Sequence, residues 1–450
     1  MYTSELKSTH RPKIYHTSLC VGIFLFFHQI TFGQQSIDIN HAYAILDQQN
    51  IDLKQAHVQL LLSRQDHTDA KNSILPTLSL GAGHNYNLGL AFDQIAGQLV
   101  TGNRWSNNAN ASVRMNATLF QGFARSNQLK IALLDIESSE LEVSRLKKSL
   151  RLDLLSLYFD AIVNQALHRS SLEQLNYSRA QLEQQKIQFD MGTKTLVDVS
   201  LAESQVATDE LNVLVSRNTY ESKTLDIQRL LDLAYTDSLI LATPALELLD
   251  ADYGSSTSVN ADPNIQLSYV RIKQAEIGLK NARNGYYPTL SFSSGYGTNY
   301  SSERNDYLTG QFMPFWNQVN QNKSLYLGLS LSMPIFDGFK TKGSINRAKL
   351  TLDLQKRELD KTLKDQEKIL LMARQEYSRS HKEYQVVQTQ SLSLKKSFEA
   401  MKERYDIGMA SSMDYSKALL DYNISEFNLI RAKYTVLYNQ EILKVLTDSY

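Results

Sequence analysis

Polar and apolar residues alternate with period two in four stretches of the chain. In 110–120, Ala111, Val113, Met115, Ala117 and Leu119 share one side, while Ser112, Arg114, Asn116 and Thr118 share the other. In 324–333, Leu325, Leu327, Leu329, Leu331 and Met333 oppose Ser324, Tyr326, Gly328, Ser330 and Ser332. Segments 77–88 and 289–299 behave likewise, with Leu78, Leu80 and Tyr86, and Leu290, Phe292 and Tyr296, on the apolar side. Alternation of this kind predicts strands with one apolar and one polar face. Elsewhere the period changes. Stepping by fours and threes from Leu129 visits Leu133, Ile136, Glu140, Val143, Lys147, Leu150, Leu154, Leu157 and Ala161, eight of the ten apolar. That is a coiled-coil-like stripe. A second stripe, Leu152, Leu155, Phe159, Ile162 and Ala166, runs beside it. A helix with two seams packs a neighbour on each side, as in the wall of a helical cylinder. An ordinary long bundle helix with a wide apolar face is the alternative.

The chain repeats itself. Ala70-Lys-Asn-Ser-Ile-Leu-Pro76-Thr-Leu-Ser-Leu80 returns as Ala282-Arg-Asn-Gly-Tyr-Tyr-Pro288-Thr-Leu-Ser-Phe292. Leu119-Phe120-Gln-Gly122-Phe123 returns as Ile335-Phe336-Asp-Gly338-Phe339, and Asp190-Met-Gly192 as Asp406-Ile-Gly408. The last two pairs share one offset of 216 residues, and motifs in fixed register indicate duplication. Between 123 and 253 the only glycine is Gly192, and between 344 and 450 the only one is Gly408. No proline occurs between Pro76 and Pro244, or after Pro334. Long breaker-free runs, each interrupted once at the same place, predict two long antiparallel helices joined by a tight turn. The first of them, from about Ala124 to Phe189, would be roughly 100 Å long. Each half then reads short helix, strand pair, long helix, turn, long helix. The repeats are placed at 34–240 and 263–450, with a linker at 241–262.

Ten-residue strands of this pattern fit tilted transmembrane β-strands. The soluble alternative is a half-buried sheet covered by a helix. The aromatics favour the membrane. Phe120, Phe123, Phe336 and Phe339 mark the strand-to-helix junctions, and the only two tryptophans, Trp105 and Trp316, are placed in the polar loops joining each strand pair. Aromatics at both ends of an apolar band are what a membrane interface selects. Four strands cannot close a barrel, and open edges cannot sit in lipid. Several chains must therefore share one barrel, two giving eight strands and three giving twelve.

Charge and composition alter this picture little. The 450 residues carry 47 basic and 47 acidic side chains, so neutrality gives no reason to expect nucleic acid as a partner. Residues 1–18 hold Lys7, Arg11 and Lys13 against Glu5, and Leu19–Ile30 is a short apolar run followed by Thr31-Phe32-Gly33. This is the grammar of a cleaved secretory signal over 1–33. The run is shorter than a membrane span needs. Removing it leaves 44 basic and 46 acidic side chains and no cysteine, hence an exported chain without an internal disulfide. The histidines show no HExxH spacing, Gly81-Ala-Gly83 and Gly295-Tyr-Gly297 lack the third glycine of a dinucleotide loop, and neither a Walker loop nor Gly-x-Ser-x-Gly occurs. No catalytic residue, cofactor or metal is expected.

The turns carry chemistry of their own. Thr195-Leu-Val-Asp198 and Ser411-Ser-Met-Asp414 fit the capping pattern of a hydroxyl followed three residues later by a carboxylate, and Gly192 and Gly408 suit the left-handed residue that ends a helix. Capping suffices to explain them. A sharper reading adds acidic rings of Asp198 and Asp414 at the far mouth of a pore, biasing it towards cations.

With these motifs in hand the chain resembles the TolC-type outer-membrane efflux proteins over essentially all of residues 34–450. The residues that carry the likeness are Asn50-Ile-Asp-Leu53 and Asn264-Ile-Gln-Leu267, the turns at Pro76 and Pro288, and Met333-Pro-Ile-Phe-Asp-Gly338. Phe189-Asp-Met-Gly192, Tyr405-Asp-Ile-Gly408 and Ala432-Lys-Tyr-Thr-Val-Leu-Tyr-Asn-Gln440 complete the set. The resemblance implies a mainly α chain with a small β part, whose two repeats build a long α-helical barrel and a four-strand share of a transmembrane β-barrel, completed by trimerisation. It implies an outer-membrane location extending into the periplasm, a passive exit duct, and docking onto a periplasmic adaptor protein served by an inner-membrane transporter of the RND, ABC or a similar class. By family pattern Gly192, Thr193, Gly408 and Met409 meet the adaptor, with Asp198, Tyr405 and Asp414 near the constriction. Ala410 and Lys417 depart from it, standing where some relatives have a basic and a second acidic residue. A secreted structural coiled-coil protein without channel activity is the competing reading. The cargo is not legible.

Overall fold

A computed structural model describes residues 37–102, 104–235, 239–245, 259–306 and 308–447. The signal segment expected over 1–33 lies outside them. The order is α1 (Ile39–Gln49), α2 (Ile51–Asn72), β1 (Thr77–Leu88), β2 (Ala91–Asp93), β3 (Gln98–Val100), β4 (Trp105–Gln121), α3 (Ala124–Asp190) and α4 (Leu196–Leu231). The second repeat supplies α5 (Pro263–Ala282), β5 (Thr289–Ser301), α6 (Phe315–Gln321), β6 (Ser324–Ser332), α7 (Lys340–Asp406) and α8 (Ser412–Thr447). The duplication is exact in length where it matters: α3 and α7 have 67 residues each, α4 and α8 have 36 each. Two helices of about 100 Å thus set the long dimension of the chain.

The four long strands form one antiparallel sheet in the order β1-β4-β5-β6, so the two repeats meet at β4 and β5. The register joins Leu80, Val113, Tyr296 and Leu325 in one row and Leu78, Met115, Ser294 and Leu327 in the next. The apolar side chains therefore share a face, and Ser112, Arg114, Gly297 and Tyr326 fall on the other. Helices do not cover that apolar face: Leu78 is 73% exposed, Leu80 79%, and Leu331 70%. This overturns the covered-sheet alternative. Its outer end alone is overlaid, by α6, where the Thr298 hydroxyl donates to the Val319 carbonyl at 2.7 Å and Tyr300 meets Phe315 edge-on.

Three details differ from the sequence expectation. A bulge between Thr118 and Phe120 leaves Leu119 unpaired and sets Phe120 opposite Leu290, in line with Ala117 and Phe292, so strict alternation stops one residue early. Trp105 is not in a loop; it opens β4 opposite Leu88, because that strand begins five residues before its alternation becomes visible. Trp316 lies on α6 rather than in irregular chain. The loops also hold a small β2–β3 hairpin and a buried polar knot. There Asp93 accepts from the Ile95 and Ala96 amides and the Ser301 hydroxyl, while Gln318 bonds the Ser301 backbone at both ends. Burial without partners would cost each of these groups kilocalories, so the knot holds the two repeats' outer loops together.

Strand passes to helix through two successive left-handed residues in each repeat, Gly122-Phe123 (φ 54° and 66°) and Gly338-Phe339 (φ 65° and 62°). A left-handed phenylalanine costs about 1–2 kcal/mol. It is held by an edge-on ring pair, Phe120 with Phe123 and Phe336 with Phe339.

The main apolar core lies halfway along the helices, where α3 passes α1, α4 and α8. Leu46, Leu154, Leu155, Ile162, Ile227 and Leu231 are fully enclosed there. Helix α3 packs against α2, α4, α5 and α8 as well as α1, and residues of both its stripes, Leu150 and Leu154 of the first and Leu155, Phe159 and Ile162 of the second, share this one core. A strap at 239–242 closes this level, with the Tyr158 hydroxyl 2.9 Å from the Ile37 carbonyl and 2.8 Å from that of Ala242. A buried ion pair of 2.9 Å, Lys148 to the α5 cap Asp262, fastens one repeat to the other.

Candidate functional site at the hairpin tips

At the end remote from the sheet the two helical hairpins turn side by side. Each turn is dictated locally. The Thr193 amide reaches back to the Gln188 carbonyl at 2.9 Å and the Gly192 amide to that of Phe189 at 2.8 Å; Met409 to Arg404 (2.8 Å) and Gly408 to Tyr405 (3.1 Å) repeat the pattern. These paired bonds need a left-handed residue after the helix, which glycine adopts without penalty; φ is 74° at Gly192 and 79° at Gly408. Nothing lies within 4 Å of a Cβ at either position, so backbone conformation, not space, selects glycine.

The following helices are capped as their sequences demand, but unequally. At the first tip the Thr195 amide and hydroxyl both donate to Asp198, at 2.9 and 2.8 Å, and the Asp198 amide returns to the Thr195 hydroxyl. The other carboxylate oxygen of Asp198 accepts the hydroxyl of Ser412, from the second hairpin. At the second tip Asp414 accepts, among the described residues, only the Ser411 hydroxyl, at 2.7 Å, and remains exposed. Burial pushes the Asp198 carboxyl up, yet the hydrogen bonds from Ser412 and Thr195 and the Lys194 charge outweigh it and hold it below the ordinary carboxylate value.

Between the hairpins sits an aromatic cluster. Tyr405 is buried, stacked on Tyr415 with ring centroids 4.8 Å apart, and capped by the Lys194 ammonium 3.7 Å above its ring. The Tyr415 and Tyr177 hydroxyls lie 2.7 Å apart, and the Tyr405 hydroxyl donates to Gln185 at 3.3 Å. Phe398 stacks on Tyr422 at 5.5 Å and touches Tyr177 edge-on. Burial first, then the Tyr177 hydrogen bond, drives the Tyr415 phenol well above its usual range, so it stays neutral. Tyr177, Gln185, Lys194 and Ser412 thus come from one side or the other of a joint between hairpins. Sequence alone points to Tyr405 and Asp198 but not to these partners. The available signal was the run Phe398, Tyr405, Tyr415, Leu419 and Tyr422, four of them aromatic. The equivalent positions 216 residues earlier, Leu182, Phe189, Val199, Glu203 and Val206, hold a single aromatic.

Around the joint the tips end in bare apolar side chains. Met191, Leu196 and Val197 on one turn and Ile407, Met409 and Met413 on the other are 64–76% exposed. Ala410 packs on the aromatic cluster. The remaining predicted residues stand far away: Phe120, Phe123, Phe336 and Phe339 at the base of the sheet, Trp105 and Trp316 at its other end. Among the described residues no three His, Cys, Asp or Glu side chains gather as metal ligands, and no helix is long and apolar enough to cross a membrane.

Comparison with known proteins agrees with this geometry. The family model of the outer membrane efflux protein matches residues 43–232 and 255–447, one stretch on each repeat. Outer membrane protein TolC of Salmonella enteritidis is 22% identical over 394 residues, 84% of this chain and 74% of that protein; its counterpart in Escherichia coli (strain K12) is 22% identical over 395 residues, 84% and 75%. In fold, the chain is similar to the crystal structure of the Campylobacter jejuni CmeC outer membrane channel. The TM-score is 0.77 at 17% identity, over 91% of this chain and 85% of that one.

Proposed function

The chain belongs to the outer membrane efflux protein family, and from that premise we propose that it is a passive exit duct which three copies build together across the outer membrane and periplasm. The family membership makes it an efflux channel of the outer membrane rather than an enzyme. The observation that carries the finer reading is the sheet. Its apolar face is bare except where α6 overlays the outer end, its two edges β1 and β6 are unpaired among the described residues, and its other face is polar. In lipid each bare edge would leave a row of unsatisfied backbone groups. Edge-to-edge closure with two further copies removes every edge and turns the polar face of Ser112, Arg114 and Tyr326 inward, onto water.

The helices continue the conduit, and the tips are its periplasmic end. Asp414, exposed and lightly bonded, faces the opening and biases it towards cations, whereas Asp198 serves the joint between hairpins. The apolar rim at Met409, Ile407 and Met191, with Gly192, Thr193 and Gly408 beneath it, is the docking surface for a periplasmic adaptor protein, behind which an inner-membrane transporter of the RND, ABC or a similar class supplies the energy. Phe120, Phe123, Phe336 and Phe339 mark one headgroup plane, Trp105 and Trp316 the other. The competing reading, a secreted structural coiled coil, leaves the leucine face without a purpose.

The test is recording from purified protein in planar bilayers, paired with chemical crosslinking from a Met409→Cys variant in cells. A duct gives discrete ohmic conductance and a crosslinked adaptor. Absence of both, in protein that partitions into detergent, would remove the proposal.

A further inference from the structure

Four chain segments converge at the base of the sheet, where strands hand over to helices. They are 71–77, 120–130, 280–289 and 331–342. Contacts tie them into one layer: the Arg125 guanidinium donates to the Ile74 carbonyl at 3.5 Å and to the Thr118 carbonyl at 2.8 Å, Phe123 packs edge-on against Tyr287, and Gly285 abuts Thr341. In a chain with equal numbers of acids and bases, these segments hold seven bases, Arg125 among them, and one acid. The acid, Asp337, is already engaged by the amide and hydroxyl of Thr341. Arg125 is half-buried against carbonyls. The other six, Lys71, Lys130, Lys280, Arg283, Lys340 and Lys342, are exposed, and none of the seven takes part in an ion pair among the described residues. The long helices elsewhere are laced with such pairs, including Arg64–Glu140, Arg179–Glu210 and Arg379–Glu383.

We propose that this unpaired basic collar is a binding surface for anionic phospholipid headgroups on the periplasmic side of the outer membrane. The argument is one of charge complementarity and of continuity with the lipid-facing sheet. It rests on the reading of Phe120, Phe123, Phe336 and Phe339 as a headgroup-level belt. The collar begins within a turn of those rings, and the Lys342 ammonium sits 5.8 Å from the Phe339 ring centroid. Ammonium and guanidinium groups at that depth meet phosphates directly, and long side chains reach the interface from just below it. Neutralising acids are missing from both long helices' first turns, which open at this level. Three copies would close the patch into a ring of twenty-one bases, a density that selects lipids carrying net negative charge over zwitterionic ones.

The experiment uses the full assembly reconstituted in vesicles of phosphatidylcholine, probed by electron paramagnetic resonance with chain-labelled phosphatidylglycerol and chain-labelled phosphatidylcholine. At low salt the motionally restricted fraction should favour phosphatidylglycerol by about threefold, as expected for polybasic surfaces. The variant Lys71→Gln/Lys280→Gln/Arg283→Gln/Lys340→Gln/Lys342→Gln should bring that ratio close to one, and so should high salt. The control Lys382→Gln/Lys395→Gln/Lys396→Gln, on the exposed face of α7 towards the tip, should leave it unchanged. A wild-type ratio of one, or an equal fall in the control, overturns the collar while leaving the embedded sheet intact. No restricted lipid at all, with either label, overturns the belt on which the collar rests.

Discussion

The two hairpin tips start from one sequence plan and end in different states. Both have the glycine turn, both have a hydroxyl and an aspartate three residues apart, and both open 36-residue helices. Yet Asp198 gathers Thr195, Ser412 and Lys194 around it, while Asp414 keeps only Ser411. Tyr405 is enclosed at 4% exposure, whereas Phe189, its partner 216 residues earlier, is 40% exposed. Duplication supplied two equivalent ends; substitution then gave the second hairpin the aromatics of a joint, while its own Asp414 and the apolar rims of both turns stay exposed. A joint that holds and a rim that stays available fit the proposed docking mouth.

Substitutions at equivalent positions test that asymmetry, and the largest contrast is at the aromatics. Tyr405→Ala should cost about 3 kcal/mol, as for other large core side chains, and part the hairpins; Phe189→Ala should cost under about 1 kcal/mol. Hydrogen exchange of the tip amides measures both, and equal losses would erase the comparison. The capping pair comes next. Asp198→Ala removes a cap and strands the Ser412 hydroxyl, for about 2 kcal/mol, against about 1 kcal/mol for Asp414→Ala. In bilayer recordings Asp414→Asn should nevertheless lower cation preference, and unchanged selectivity would place that carboxylate off the conduction path.

Acid offers a third contrast. The Asp198 carboxyl sits below its ordinary value of 3.8 in the folded protein, so its contribution is fully present above about pH 4 and disappears as pH falls through the folded-state value. Acidification should loosen the joint in the wild type, and Asp198→Asn should flatten that dependence below about pH 4. A profile that the substitution leaves untouched speaks against it. The smallest effect is at Lys194, whose replacement by Gln should remove a cation–π contact of about 0.5–1 kcal/mol. Tyr405 exchange protection would register it, and Lys402→Gln, 5.3 Å from the Tyr177 ring, should do less.

The parts of the molecule legible in sequence were those set by local chemistry. Breaker-free runs bounded α3 at Ala124 and within one residue of its observed end at Asp190, because glycine and proline act through their own backbone. The shared offset of 216 recovered the duplication, and alternation recovered all four long strands. What escaped depends on distant partners. The bulge at Leu119 exists only against Leu290, and Trp105 belongs to β4 only through pairing with Leu88. The joint sets Tyr177 against Tyr415, 238 residues away, and Tyr405 against Gln185, 220 away, pairs that no periodicity announces.

Both tips, and the collar above them, have meaning only if the sheet's two bare edges close on other copies. Native mass spectrometry of the detergent-extracted protein addresses that directly. The account predicts a particle of three chains that requires detergent and loses neither property in high salt. A single chain released by salt without detergent would contradict it.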